Sequence, residues 1–189
     1  MMERSVENLD QQLNIVNSWI NNCDQKAGII MAFAGVILTQ VLTSQFVNYM
    51  NVYIFSPFVE YWFGKSDTLC FHLYRFLTFI VLLFLAYYLV RFFFCMFRVI
   101  TPNIDYSKLH QNNSSLPNTS YIFFGTVAKM NYSVFKDMTI SYKEDLLSQI
   151  YVNSIIAEKK FTNYQKGIRF FKCSICISVI LLVLMIFLR

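Results

Sequence analysis

The sequence predicts an all-α membrane protein with about three transmembrane helices and a cytoplasmic helical segment continuous with the last span. Three observations predict it. Of the 189 residues, 56% are hydrophobic and only 14% charged, where a soluble domain carries about 25% charged residues. Much of that apolar surface therefore has to face lipid. The apolar residues gather in three long runs, at 28–46, 73–97 and 170–188, each long enough to cross a bilayer as a helix. Between the second and third runs lies the one sizeable polar stretch, and its later half carries a helical repeat. The 20 Phe and 12 Tyr fit the same class, since aromatic rings collect at membrane interfaces.

Residues 1–27 are mostly polar, with Glu3, Glu7, Asp10 and Asp24 against Arg4 and Lys26. A cleaved signal has a basic start and an early apolar core, so the first run is expected to stay as an anchor. Val6, Leu9, Leu13, Val16 and Ile20 repeat at three and four, a stripe of heptad type. Such a helix either pairs with another helix or lies on the membrane surface.

The first span, 28–46, includes Thr39, Gln40, Thr43 and Ser44. Gly28, Ala32 and Gly35 share a face, and small residues let helices approach closely in lipid. That face reads as a packing surface. The connector 47–72 holds Pro57, Gly64, Lys65 and many aromatics, and reads as an external interfacial loop with a half-buried turn. The second span, 73–97, contains Arg91 near its end. An arginine there either snorkels to the headgroups or marks a functional site within the membrane.

The segment 98–169 begins with a loop rich in Asn, Ser and Pro. Its Asn-x-Ser/Thr triplets at Asn112, Asn113, Asn118 and Asn131 have the form of glycosylation acceptors, but an Asn-rich chain produces such triplets by chance. A helical pattern begins near Ser133 and strengthens from Tyr142, with Leu147, Ile150, Ser154, Ala157, Phe161, Tyr164 and Ile168 at helical spacing. No proline follows Pro117, so one helix of about 65–70 Å can run through the third span. Gly167 is the one expected hinge. Lysine and arginine concentrate in 98–169, while the first connector has only Lys65. By the positive-inside rule the polar segment is cytoplasmic, and with three spans the N-terminus is too. The chain is thus expected to be a multi-pass protein of the bacterial inner, or cytoplasmic, membrane.

The chemistry available is binding chemistry. The sequence has no Gly-rich phosphate loop, HExxH or nucleophile elbow, so no enzyme and no cofactor is expected. His72 and His110 lie far apart on opposite expected sides, which excludes a simple two-histidine metal site. Cys173 and Cys176 form a CxxC inside an apolar run, where cysteine acts as a small hydrophobe; a redox or metal role is the other reading. The net charge of +5 has no basic block behind it, so nucleic acid is an unexpected partner, whereas anionic lipid is an expected one.

Three clusters carry the functional reading. At the mouth of the first span, Asp24 and Lys26 are two apart and point to different sides of a helix. Lys26 anchors at the interface while Asp24 either caps or meets a basic group from the long helix. On that long helix, Gln149, Asn153 and Lys160 form a stripe with Ile156. Two amides and an ammonium can read a base and a phosphate, or form an interhelical polar seam that fixes register. Between these clusters, Phe124 and Gly125 with Lys129 close behind form an aromatic turn. It can stack on a base or dock as a hairpin against the long helix.

These clusters, in this order and with this span pattern, resemble the membrane effectors of the Pycsar antiphage systems, the PycTM domain family. The resemblance rests on Trp19-Ile20-Asn21-Asn22-Cys23-Asp24-Gln25-Lys26-Ala27, on Phe124-Gly125 with Lys129, and on the helix from Gln149 through Lys159. It covers nearly the whole chain. It implies a partner cyclase that makes a cyclic pyrimidine nucleotide, cCMP or cUMP, on infection. It further implies an effector that responds to that nucleotide by impairing the membrane. A homo-oligomer is expected from the small-residue faces. The competing expectation is a non-sensing anchor or scaffold assembling through coiled-coil-like helices.

Overall fold

The computed structural model describes residues 5–43, 47–48, 50–64, 73–101, 116, 120, 122–137 and 141–188. Outside the described residues lie the end of the first expected span (44–46), Cys70, His72, His110, Tyr121, and the triplets at Asn112, Asn113 and Asn118. The described residues form helices, with no strand among them. We number the α-helices α1 (Val6–Val41), α2 (Ser56–Trp62), α3 (Leu73–Ile100), α4 (Phe124–Val127), α5 (Tyr132–Lys136) and α6 (Tyr142–Leu188). A π-helical turn, Asn51–Phe55, leads directly into α2.

Two compact units divide the chain, Met1–Lys26 with Arg98–Thr162, and Ala27–Phe97 with Asn163–Arg189. In the first unit, α1 begins at Ser5, whose side-chain oxygen accepts the Asn8 amide at 3.4 Å. This is the N-cap arrangement that satisfies an otherwise orphaned helix donor. Leu9, Val16 and Cys23 are buried at intervals of seven, with Leu13 and Ile20 half-buried between them. Helix α6 carries the matching pattern. Leu146 and Lys160 are buried and Asn153 is half-buried, again at intervals of seven, with Ile150 half-buried and Ala157 buried between them. Contacts from α1 to α6 join Asp10 to Tyr142, Asn17 to Asn153, and Asp24 to Lys160. Both residue numbers rise together, so the helices run parallel. The N-terminal stripe is therefore spent on a helix partner inside this unit, with the sevenfold repeat of a parallel coiled coil.

In the second unit, α3 runs antiparallel to α6. Tyr88 meets the Phe170 ring at 6.1 Å, Phe92 meets Phe171 at 5.0 Å, and Cys95 and Met96 lie against Gly167. An apolar cavity of about 150 Å³ lies among Ala34 and Ile37 of α1, Leu85 and Leu89 of α3, and Ser174 and Ser178 of α6. The two serines leave it apolar because each donates into its own helix, to the carbonyls of Phe171 and Ser174 at 2.7 and 2.8 Å. Thr39 does the same to Gly35 at 2.8 Å. Such back-bonding is how a helix hides hydroxyls from lipid.

Two of the described helices are long and apolar enough to cross a membrane, within Phe76–Ile100 and Tyr142–Leu184. Only 22% and 17% of their most apolar windows are buried, so these stretches are not shielded as soluble core helices are. Helix α1 carries the first expected span as far as Val41.

Three local features bear on the sequence reading. The connector 47–72 is helical over 51–62 rather than looped. Met50 and Ile54, four apart, are buried against Phe79 and Leu82, and Phe55 packs edge-on to Phe79 at 5.9 Å. Tertiary packing there outweighs the loop reading over 51–62, while Gly64, at φ 65°, keeps its turn just past the end of α2. On α1, the Gly28/Ala32/Gly35 face is not the one used within the chain: space opposite Gly28 and Gly35 is open, and Ala27 and Ala34 are buried instead. Finally, α6 continues without a break through Gly167. A Cβ there would sit 2.5 Å from the Met96 methyl carbon and 3.3 Å from the Cys95 Cβ. A side chain at this position would have to displace the end of Met96 and press on Cys95, so glycine here favours close helix approach.

Candidate functional site

The polar residues singled out on α6 form a ladder on the α1-facing side of the first unit. At its far end Lys160 is nearly enclosed, its side chain 4% exposed against 36% for Asp24. Its ammonium donates to both Asp24 carboxylate oxygens, at 2.5 and 2.7 Å. A buried ammonium without such a partner is strongly disfavoured, so Asp24 is what allows lysine at this core position. Lys26, two residues on, is exposed. Its positive charge nonetheless reaches the neighbouring Cys23 thiol, as does that of Lys160. The thiol is pushed up from its ordinary value, first by burial and then by the Asp24 charge.

Two turns back along α6, Asn153 donates its side-chain amide to the Asn17 carbonyl oxygen at 2.9 Å. Gln149, one turn further, donates to the Ser120 hydroxyl at 3.1 Å. Eleven residues separate Gln149 from Lys160, about 16 Å along the axis. The three side chains are therefore rungs of one ladder, each with a different partner, rather than a single cluster.

The aromatic turn docks at the Gln149 end. Ser120 is buried, and its oxygen also accepts the backbone amides of Ile122 and Phe123 at 3.2 and 3.1 Å. Asp145, fully buried in the first turns of α6, accepts the Ile122 amide at 3.2 Å. The Ser148 hydroxyl donates to the Asp145 backbone carbonyl at 2.8 Å, and at 3.4 Å to its carboxylate. Gly125, in α4, lies over the Phe123 ring, where a Cβ would meet the ring at 2.7 Å. Phe124 opens α4, and Lys129 is exposed in the turn that follows it. The turn thus sits beside Gln149 and is held by Ser120 and Asp145. Neither residue was among those singled out from the sequence. A Ser three residues before an aromatic pair and an acid in a helix's first turn are common features, and only their contact across the fold makes them a dock.

At the other end of the seam, the Tyr142 hydroxyl donates to Asp10 at 3.1 Å. That hydrogen bond is the main reason its phenol is raised above its ordinary value. Chemically, the ladder offers an ammonium, two amides and a docked turn. Gln149, Asn153 and Lys160 are each engaged with a group of the protein.

No solved structure matches this chain. A curated relative, the Pycsar effector protein GmPycTM of Gulbenkiania mobilis, is 31% identical over 176 residues, covering 90% of this chain and 88% of the relative. The model of the Pycsar effector protein domain, PycTM, matches residues 8–187, which takes in all three ladder rungs and the docked turn. The chain belongs to the PycTM family of Pycsar effector proteins.

Proposed function

We propose that this protein is an antiphage membrane effector that responds to a cyclic pyrimidine nucleotide, cCMP or cUMP, made by a partner cyclase, and impairs membrane integrity. In this reading 28–46, 73–97 and 170–188 span the bacterial inner membrane as a homo-oligomer, with 1–27 and 98–169 cytoplasmic. The protein performs no catalysis of its own. The observation that carries the reading is the Lys160–Asp24 pair: a nearly enclosed ammonium on the same helix as the last apolar run, ten residues before residue 170.

A cyclic nucleotide phosphate is an anion that competes with Asp24 for Lys160, while a pyrimidine edge competes with Asn17 for Asn153 or with Ser120 for Gln149. At the Gln149 end, Phe124, Gly125 and Lys129 supply the turn that closes on a base read there. Because the rungs are spread along α6, the nucleotide takes one end of the ladder and the seam repacks. A ligand shifts such an equilibrium only by its differential affinity for the two states. Exchange of Asp24 for phosphate provides that difference.

The test is titration of the purified full-length protein with cCMP and cUMP, read by binding and by alkylation of Cys23. That thiol is 1% exposed, so opening of the seam should raise its labelling, located by mass spectrometry. No binding of either nucleotide would eliminate direct sensing. A second reading, a non-sensing scaffold, is favoured by the fact that each rung already has a protein partner. It requires that neither nucleotide changes Cys23 labelling or membrane potential.

A further inference from the structure

We infer that, given the three proposed spans, the apolar cavity of the second unit is a binding slot for one lipid acyl chain, entered between α1 and α6. Nine of its eleven lining residues are apolar, and the other two are Ser174 and Ser178. Both hydroxyls donate to carbonyls of their own helix. A buried water needs two to four polar partners, and two hydroxyls committed in this way do not supply them. An apolar cavity of about 150 Å³ stays dry and takes up apolar molecules instead.

The slot has a floor and a mouth. Ala34 of α1, Leu85 of α3 and Ser174 of α6 are buried at its base, whereas Ile37 of α1 and Val179 and Leu182 of α6 are exposed at its edge. It therefore opens between α1 and α6 and ends against α3. On α6 the lining residues recur at three and four from Phe171 to Leu182, so the slot follows the helix axis for about 16 Å. So small a volume over that length is narrow. A helix, about 10 Å across, cannot enter it, and an extended hydrocarbon chain can.

Depth selects the occupant. Ala34 and Leu38 lie near the middle of 28–46, Leu85 and Leu89 near the middle of 73–97, and Ser174 to Leu182 near the middle of 170–188. In a bilayer that level holds acyl tails, not headgroups. No charged residue lines the slot, so a nucleotide or a free phosphate would be buried there without a partner. Lipid tails and spanning helices both run close to the bilayer normal, so chain and slot share a direction. An empty slot leaves its lining atoms without contacts on one side, and an acyl chain restores them.

The test uses the full-length protein in phosphatidylcholine nanodiscs doped with a phosphatidylcholine whose acyl chain carries a diazirine, either at its terminal end or next to the glycerol. After illumination, labelled residues are located by peptide mass spectrometry. In the wild-type protein the terminal diazirine should label Ala34, Leu85 and Ser174 at the floor, and the glycerol-proximal one should not. Ala34→Ile and Ser178→Leu put a side chain into the slot. Each should lower labelling of Leu85 by about ten-fold, the factor that a modest overpacking penalty on the occupant corresponds to. Leu83 and Val90, exposed on α3, should stay labelled as before. A phosphatidylglycerol probe should label the floor as well as the phosphatidylcholine one, because no charge lines the slot. Label on Leu83 and Val90 with none on the floor would overturn the site, whether the slot is empty or a second copy of this chain covers its mouth. Labelling of Leu85 that survives both filling substitutions would overturn it too. Should neither variant insert, the two diazirine positions in the wild-type protein decide, and equal floor labelling from both overturns the proposed depth. Absence of label from Leu83 and Val90 as well would overturn the spans themselves, and the slot with them. The experiment reads no nucleotide response, so a failure of sensing leaves the slot standing.

Discussion

Helices α1 and α6 each contribute to both compact units, and what lines their buried sides changes from one unit to the other. In the first unit the sevenfold repeat of α6 brings inward Leu146, Asn153 and Lys160; in the second it brings Gly167, Ser174 and Leu181. The first set is long and polar in two of three positions, and each polar group meets a counterpart on α1. The second set is small or apolar, and its serine bonds to its own helix. Where water surrounds a helix pair, burial of apolar surface drives association, and a polar core residue can be carried if it specifies register. Where lipid surrounds it, apolar burial gains little, and close backbone approach through Gly and Ser takes over. Under the proposed topology, one helical repeat would thus serve two solvents by a change of side-chain size and polarity.

The largest test of this contrast is Asp24→Ala. It strands the nearly enclosed Lys160 ammonium, and breaking a fully buried pair costs about 3–5 kcal/mol. Because Asp24 is 36% exposed and water can partly solvate the site, we expect about 3 kcal/mol, the lower end, measured by thermal unfolding in detergent. Replacing both partners, Asp24→Leu with Lys160→Met, should recover most of that stability while abolishing any nucleotide response. A double variant as unstable as Asp24→Ala would mean that the pair contributes more than mutual compensation.

Next comes Gly167→Leu in the second unit. Overpacking against Met96 and Cys95 should cost about 2 kcal/mol. Full stability with an unchanged nucleotide response would remove both close packing and a hinge from this position. Asn153→Ala should be smaller, about 1 kcal/mol, because the Asn17 carbonyl it leaves is only half-buried. Its sharper readout is helix register, as disulfide trapping between cysteines placed on α1 and α6. Trapping confined to the native pairs would deny Asn153 a role in register.

The smallest effect is at Tyr142. Its phenol is raised by the hydrogen bond to Asp10, so the folded state holds that proton more tightly than the unfolded state. The contribution is complete below the ordinary phenol value, about 10, and is lost as pH rises through the higher folded value. Absorbance titration at alkaline pH should show one tyrosine titrating late, absent in Tyr142→Phe and moved down in Asp10→Asn.

Much of this was legible from residue order. The N-terminal stripe of Leu9, Leu13 and Val16 and the continuity of the long helix into the last apolar run follow from periodicity and from the absence of proline after Pro117, whereas the helical pattern read as beginning near Ser133 is divided into α5 (Tyr132–Lys136) and a long helix that starts at Tyr142. A basic partner for Asp24 on the long helix was one of two sequence readings, the other being a cap, and Lys160 is the residue that meets Asp24. The helical turns over 51–62 were not legible, because Pro57, Gly64 and scattered aromatics carry loop signals locally. Met50 and Ile54 become helical by packing on Phe79 and Leu82. Nor was the dock of Ser120 and Asp145, whose residues lie 25 apart in sequence and signal nothing alone.

The sequence by itself determined which segments are apolar and the helical period of α1 and α6, because hydropathy and spacing act along the chain. Only the tertiary structure decided which polar residue meets which. It paired Asn17 with Asn153 and Asp24 with Lys160, seated Ser120 against Gln149, and placed Gly167 at a close crossing. The reason is that a buried donor or ion must find its partner in space. That partner is chosen by parallel or antiparallel packing, which no local pattern encodes.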